Sequence, residues 1–416
     1  MPTGDPESSS PTGPLSLLVD DAFRRVWLTG TLIGTIRWIE FLVVGVYVFD
    51  VTGSALQVAL MTLLRMLPMP FLSAFAGALA ERLSPRGLLL GVLVCGVVVS
   101  LGQGWLAWSG RIDLWHIAVG AGINGVFWAI DMPLRRTMLG ELAGPGRTAA
   151  AMGLDAATNN ATRMLGPGVG GLLLEVTGIY GAFLLGAALY VCGIVLLSGL
   201  KTVPNADRGG PFRLIERIVE GLRFIRNDRA LVGTLAITVI FNVLAWPATS
   251  MVPVIGEEEL HLSAFPIGLL MSADGFGALI GAVLVARGAR PARFRAIYLG
   301  GVGTFACASI VFSLSPWPLL SGLAQMFAGL GGACFATMQA TIVFLSASPM
   351  VRARVMGVLS VFIGSAVIGF VHIGLLAHWL GGAEAVLVSS IETLVALGFA
   401  VWLWPEIRPG AAFRPR

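Results

Sequence analysis

Nine polar side chains stand inside stretches that are otherwise apolar, and their types suit the handling of a solute rather than the breaking of bonds. Arg37 and Glu40 are three residues apart and share one helical face. Arg65 stands ahead of Pro68 and Pro70, while Asp155, Asn159 and Arg163 recur every four residues as a polar stripe. Asn242, Asp274 and Glu392 follow in later apolar stretches. An arginine keeps its charge, so Arg37, Arg65 and Arg163 are expected to hold anionic or polar groups of a cargo. A carboxyl group can exchange a proton, and Glu40 or Asp155 is expected to do so, with Asp274 on the same pathway. The bland alternative is mutual neutralisation: Arg37 with Glu40, and Arg163 with Asp155 through Asn159. Glu392 reads as facing lipid or another helix, and His372 as a packed helix residue. No phosphate loop, metal cluster or nucleophile with its base is found, so an enzyme is not expected, nor any cofactor or metal.

The elements that must carry these groups are set by composition. Apolar residues make up 56% of the chain and charged residues 12%, against about 25% charged in soluble domains. Lipid is the solvent that fits. Twelve stretches are long enough to cross a bilayer as helices: 26–49, 55–80, 88–108, 115–139, 149–174, 180–200, 231–255, 265–286, 297–314, 319–345, 355–380 and 385–404. The resulting class is an all-α membrane protein. Cys95, Cys192, Cys307 and Cys334 lie in apolar runs and read as small buried packing residues. No signal-peptide pattern is expected at the Pro/Ser/Gly-rich start.

Basic residues orient the spans. With the first residues in the cytoplasm, 23 of the 27 Lys and Arg fall in cytoplasmic segments, Arg135 and Arg136 among them, and only Arg111 falls outside. This bias puts both termini in the cytoplasm and the chain in the inner (cytoplasmic) membrane. The small net charge of +4 does not suggest nucleic acid. Within the polar segment 201–229, Phe212, Ile215, Ile218, Val219, Leu222 and Ile225 recur at helical spacing, as expected of an amphipathic helix on the membrane surface. The expected organisation is a disordered tail (1–25), six spans (26–200), a linker (201–229), six further spans (230–404) and a second tail (405–416). The halves echo each other: Gly30-Thr31-Leu32 returns as Gly233-Thr234-Leu235, and Met152-Gly153 as Met356-Gly357, at offsets of 203 and 204 residues. Such repeats build many secondary transporters, with the site between them.

Three motifs carry a family resemblance. The loop Gly77-Ala78-Leu79-Ala80-Glu81-Arg82-Leu83-Ser84-Pro85-Arg86 resembles the signature of the major facilitator superfamily, although Glu81 replaces an Asp, Ser84 a Gly and Pro85 a basic residue. The resemblance implies a fold of two pseudo-symmetric six-helix bundles and a cytoplasmic latch, in which Gly77, Glu81, Arg82 and Arg86 work with Asp131 and with Arg352 or Arg354. Gly166-Pro167-Gly168-Val169-Gly170-Gly171, with Gly153 upstream, resembles the span-5 motif of the drug/proton antiporters, although Thr162 stands where that motif has another Gly. It implies export. Glu220-Gly221-Leu222-Arg223, Gly275-Phe276-Gly277 and Arg352-Ala353-Arg354-Val355-Met356-Gly357 are similar to the enterobactin-exporter and macrolide-efflux branch. One departure is that span 4 lacks the intramembrane arginine of many proton antiporters.

The function expected is therefore proton-coupled efflux of a small amphipathic molecule, of the drug or siderophore class, by a monomer using alternating access. The alternatives are an importer or lipid flippase of the same fold, or a non-transporting membrane sensor.

Overall fold

The computed structural model describes residues 14–72, 84–144, 146–200, 214–348 and 350–410. Thirteen helices matter here: α1 (Asp21–Thr52), α2 (Ala55–Leu72), α3 (Pro85–Trp108), α4 (Leu114–Ala143), α5 (Thr148–Thr177), α6 (Ile179–Ser198), α7 (Leu214–Arg226), α8 (Arg229–Glu258), α9 (Ala264–Gly288), α10 (Pro291–Leu314), α11 (Pro318–Ser346), α12 (Arg354–Leu380) and α13 (Gly382–Leu403). Local sequence sets their ends. The Asp20 carboxylate accepts the Ala22 and Phe23 N–H groups at 2.9 and 3.1 Å and starts α1. Gly53, at φ 59°, ends it in the left-handed region. Ser54, Ser84 and Asp228 cap α2, α3 and α8 in the same manner.

Eleven of these helices are long and apolar enough to cross a membrane. The twelfth span expected is α5, which has the length, 30 residues, but not the apolarity. Its buried face carries Asp155, Thr162, Gly166, Pro167, Gly170 and Gly171, which meet protein rather than lipid. Three spans expected to be continuous are interrupted, α2 by a turn at Leu67 ahead of Pro68. In α8 a π-turn at Phe241–Ala245 and a 3-10 turn at Trp246–Met251 precede the final helical segment. Pro247 and Pro253 lack the N–H groups a regular helix needs there. In α12 the helix breaks at Gly364 and Ser365.

In the first half, α1 packs on α5 and α6, and α3 on α6 and α4. In the second, α11 packs on both α9 and α10, and α10 on α13. The halves meet along α5 with α9 and along α2 with α12, and α1 touches α8 where Gly45 approaches Pro253. The α5–α9 seam is closest. A Cβ on Gly171 would lie 2.4 Å from the Ala264 carbonyl oxygen, one on Gly268 2.5 Å from the Pro167 oxygen, and one on Gly275 2.5 Å from the Met164 nitrogen. Only glycine lets the backbones approach this far.

The apolar cores show where the halves are joined. At the end holding the α1–α2 and α3–α4 turns, one cluster takes Val46, Phe49 and Ala55 from the first half together with Val252, Ile255, Ile373 and Ala385 from the second. A smaller cluster joins Met66 of α2 to Ala366 and Phe370 of α12, and nearer the chain termini the clusters separate. One is built around Phe23, Leu89, Met138 and Leu197, another around Ile225, Leu231, Val343 and Val358, and each belongs to one half. The second includes α7, whose Glu220 pairs with Arg354 at 3.0 Å.

The cysteine expectation is corrected: Cys95, Cys192 and Cys307 are exposed and Cys334 is half-buried. An apolar run indicates burial in lipid, not burial in protein. The same surfaces expose Val98, Trp105 and Val195.

Candidate functional site

A small cavity of about 30 Å³ lies between the halves, lined by Arg37, Trp38 and Phe41 of α1, Trp128 of α4, Arg163 and Pro167 of α5, Trp246, Thr249 and Val252 of α8, Met271 and Asp274 of α9, and Gln325 of α11. Three tryptophans and two arginines give it flat apolar walls with fixed positive charge. The charges are stacked on the walls: the Arg37 guanidinium lies 4.6 Å from the Trp128 ring centre, and that of Arg163 5.3 Å from Trp38. A second space of about 20 Å³ adjoins it, lined by Arg37, Glu40, Arg65, Asn124, Trp128 and Tyr190 among others. Arg37 borders both.

Each charge has a partner that sequence spacing did not identify. Arg37 pairs with Asp131 of α4 at 3.2 Å, not with Glu40. Glu40 accepts the Asn124 amide at 2.7 Å and faces Arg65 at 3.5 Å; Tyr190 donates to Asn124 at 3.2 Å. Arg65 also donates to the Arg37 carbonyl at 3.1 Å. Asp155 does not reach Arg163. Its two oxygens are held by Arg135 and Arg136, the latter at 2.9 Å. Arg163 instead crosses to Asp274 of α9, with Nε and Nη2 at 2.7 and 2.5 Å from the same oxygen, Oδ2. The other oxygen, Oδ1, is buried without a hydrogen-bond partner, as is Trp38 Nε1.

Arg135 is the residue that sequence reasoning missed. Expected in a cytoplasmic loop, it lies inside α4, buried, bonded to Asp131 at 3.2 Å and to Asp155. The expectation that this span lacks a buried arginine is corrected. Asp131 one turn earlier was the available signal, since an acid at i−4 can neutralise a helix-borne arginine. A buried cation needs such compensation.

The remaining expected residues are dispersed. Asn159 lines neither cavity; its carbonyl accepts the Thr162 hydroxyl at 3.0 Å. Asn242 sits in the π-turn of α8 and donates to the Thr238 carbonyl at 2.8 Å. Glu392 meets His372 at 2.7 Å, between α13 and α12 and away from the central cavity. Of the latch, Gly77, Glu81 and Arg82 lie outside the described residues. Arg86 donates to the Leu197 and Ser198 carbonyls at 3.0 and 2.6 Å. Arg352 donates to the Phe344 carbonyl at 3.1 Å. Asp131 is occupied by Arg37 and Arg135, and Arg354 by Glu220, so the described latch members bond within their own halves. In the glycine motif, Gly166 and Gly170 let α5 approach Trp38 and Ile39 of α1, and Gly171 admits α9; around Gly153 there is open space.

A family model described as "transmembrane secretion effector" matches residues 11–410. The multidrug efflux pump Tap of Mycolicibacterium fortuitum is 27% identical, over 95% of this chain and 97% of its own length. The staphyloferrin A transporter of Staphylococcus aureus is 22% identical, over 67% of this chain and 68% of its own. Among solved structures, a variant of the nucleoside transporter NupG superposes with a TM-score of 0.75 over 92% of this chain and 100% of its own, at 13% identity. That likeness is one of fold.

Proposed function

The chain belongs to the transmembrane secretion effector family of the major facilitator superfamily and is a membrane transporter, and we propose that it exports a small amphipathic molecule by proton-driven alternating access. The observation that carries this reading is the cavity between the halves. Its walls come from both halves, its charges are held against tryptophan faces, and the largest shared apolar core lies at one end, with only a smaller α2–α12 patch of Met66, Ala366 and Phe370 joining the halves elsewhere. A space flanked by a large shared core at one end and by the separate cores of the two halves nearer the chain termini fits one of the two states that alternating access requires. The relatives support the choice of cargo: one is named a multidrug efflux pump and another a siderophore transporter.

In this reading the bundles are 26–200 and 230–404, joined by the linker 201–229. The protein works as a monomer in the inner membrane, with both termini in the cytoplasm, so the joined core is the closed outer gate. Aromatic walls take the apolar body of the cargo, Arg37 and Arg163 orient its polar groups, and Thr249 and Gln325 offer uncharged hydrogen bonds. No bond in the cargo is made or broken; the work is movement.

Everted membrane vesicles test this. Loaded acid-inside and offered ethidium, Hoechst 33342 and rhodamine 6G, vesicles carrying the protein are expected to accumulate at least one dye beyond vesicles lacking it, and to release it when a protonophore is added. If none accumulates, or if accumulation ignores the protonophore, the proton-driven export reading fails.

A further inference from the structure

We propose that Asp274 is the acid whose protonation switches this transporter between its states, because among the described residues it alone of four buried acids ties the two halves together at the cavity through Arg163. The proposal rests on the proton-driven reading above and names the group that reading leaves open.

Asp131 is held by Arg37 and Arg135, Asp155 by Arg135 and Arg136, and Glu40 by Arg65 and Asn124, all inside the first half. Protonating any of these rearranges one bundle internally. Asp274 stands on α9 of the second half, and its arginine stands on α5 of the first. Loss of its charge removes an attraction between the bodies that must rock. Asp131 and Asp155 each have both oxygens engaged by guanidinium groups, whereas Arg163 engages only Oδ2 of Asp274. Oδ1 is left buried without a partner. A proton arriving there displaces no hydrogen bond.

The surroundings allow the switch to act. The charged groups facing Asp274 across the cavity are Arg163 from α5 and Arg37 from α1; α8 and α11 add the uncharged Trp246, Thr249 and Gln325. Beside it, Gly275 lies against the backbone of Arg163 and Met164, and the Asp274 carbonyl lies against Gly329 of α11. The carboxyl group therefore sits within the close α5–α9 seam, and a small change of attraction there is felt along both helices. Export follows if cargo bearing a hydrogen-bond donor or a positive charge competes with the proton for the same carboxyl, since the two then travel in opposite directions.

The test needs no cargo. Spin labels on Ala149→Cys at the start of α5 and Ala286→Cys at the end of α9, both exposed, report the spacing of the halves. They are placed in full-length protein with Cys95, Cys192, Cys307 and Cys334 replaced by serine, in proteoliposomes. The distance distribution is expected to shift between pH 8 and pH 5. In Asp274→Asn it is expected to stay at the acid position throughout, while Glu40→Gln and Asp155→Asn keep the shift. An Asp274→Asn protein that still shifts overturns the assignment alone. A parent protein with no shift overturns the assignment whatever the dye assay shows, and dye transport that ignores the protonophore overturns the proton-driven reading itself. Tryptophan emission of Asp274→Asn matching the parent at pH 5 confirms that the variant is folded in the state it reports; a denatured spectrum is answered by Asp274→Glu, which must restore the shift if the carboxyl is the switch.

Discussion

Arg163 and Asp274 lie 111 positions apart in the chain and form a two-pronged ion pair, with guanidinium Nε and Nη2 both directed at one carboxylate oxygen. The pair crosses from one six-helix half to the other and forms part of the cavity wall.

Breaking that pair from one side is expected to cost more than removing it. Asp274→Ala leaves the Arg163 guanidinium uncompensated at a site where its side chain is 19% exposed, a loss on the order of 3–5 kcal/mol. The double variant Arg163→Met, Asp274→Leu is expected to recover most of that stability without recovering transport. Thermal unfolding of the purified proteins in detergent measures the first effect and dye accumulation the second. Equal melting temperatures for the single and double variants would show that the pair is not felt as a unit.

The glycine seam makes a sharper prediction. A Cβ on Gly275 would press on backbone atoms at 2.5 Å, whereas one on Gly153 would meet open space. Gly275→Ala must therefore part α5 from α9, with a destabilisation of about 1–3 kcal/mol and a severe loss of transport. Gly153→Ala is expected to stay within about 0.5 kcal/mol of the parent. Paired melting curves and dye uptake decide the point.

Aromatic walls should set affinity more than rate. Removing the Trp246 ring, which lines the cavity and meets Phe370 edge-on at 5.4 Å, is expected to weaken binding of a transported dye by about tenfold, the scale of about 0.5–1.5 kcal/mol per aromatic contact plus lost apolar area. The concentration dependence of initial uptake should show a raised half-saturation value with the maximal rate changed far less. A collapse of the maximal rate at unchanged half-saturation would place Trp246 in the conformational step instead.

Access from one side is the fourth expectation. Thr249 lies on the cavity wall, at the edge of the joined core that holds Ala248 and Met251. Thr249→Cys, without the native cysteines, is expected to react with a membrane-impermeant maleimide in everted vesicles at least tenfold faster than in intact cells. The reverse ratio would invert either the proposed orientation or the resting state.

What the sequence determined by itself is what one dimension can hold. Span length and apolarity are properties of consecutive residues, so the helical membrane architecture was legible. So were the stripe on α5 and its glycines, because helical spacing places them on faces without knowledge of the neighbours. Partner choice was decided only by tertiary structure. Arg37 and Glu40 sit together on α1, yet each is satisfied by another helix, through Asp131 and through Arg65 with Asn124. Asp155 and Arg163 belong to one stripe and turn to opposite neighbours, Arg135 and Asp274. An ion pair forms where two long side chains converge in a water-poor space, and that convergence depends on how helices far apart in sequence cross. The apolar code carries no record of those crossings. It also treats lipid and protein interior alike, which is why the exposed cysteines and the buried Arg135 came into view only once the helices were packed.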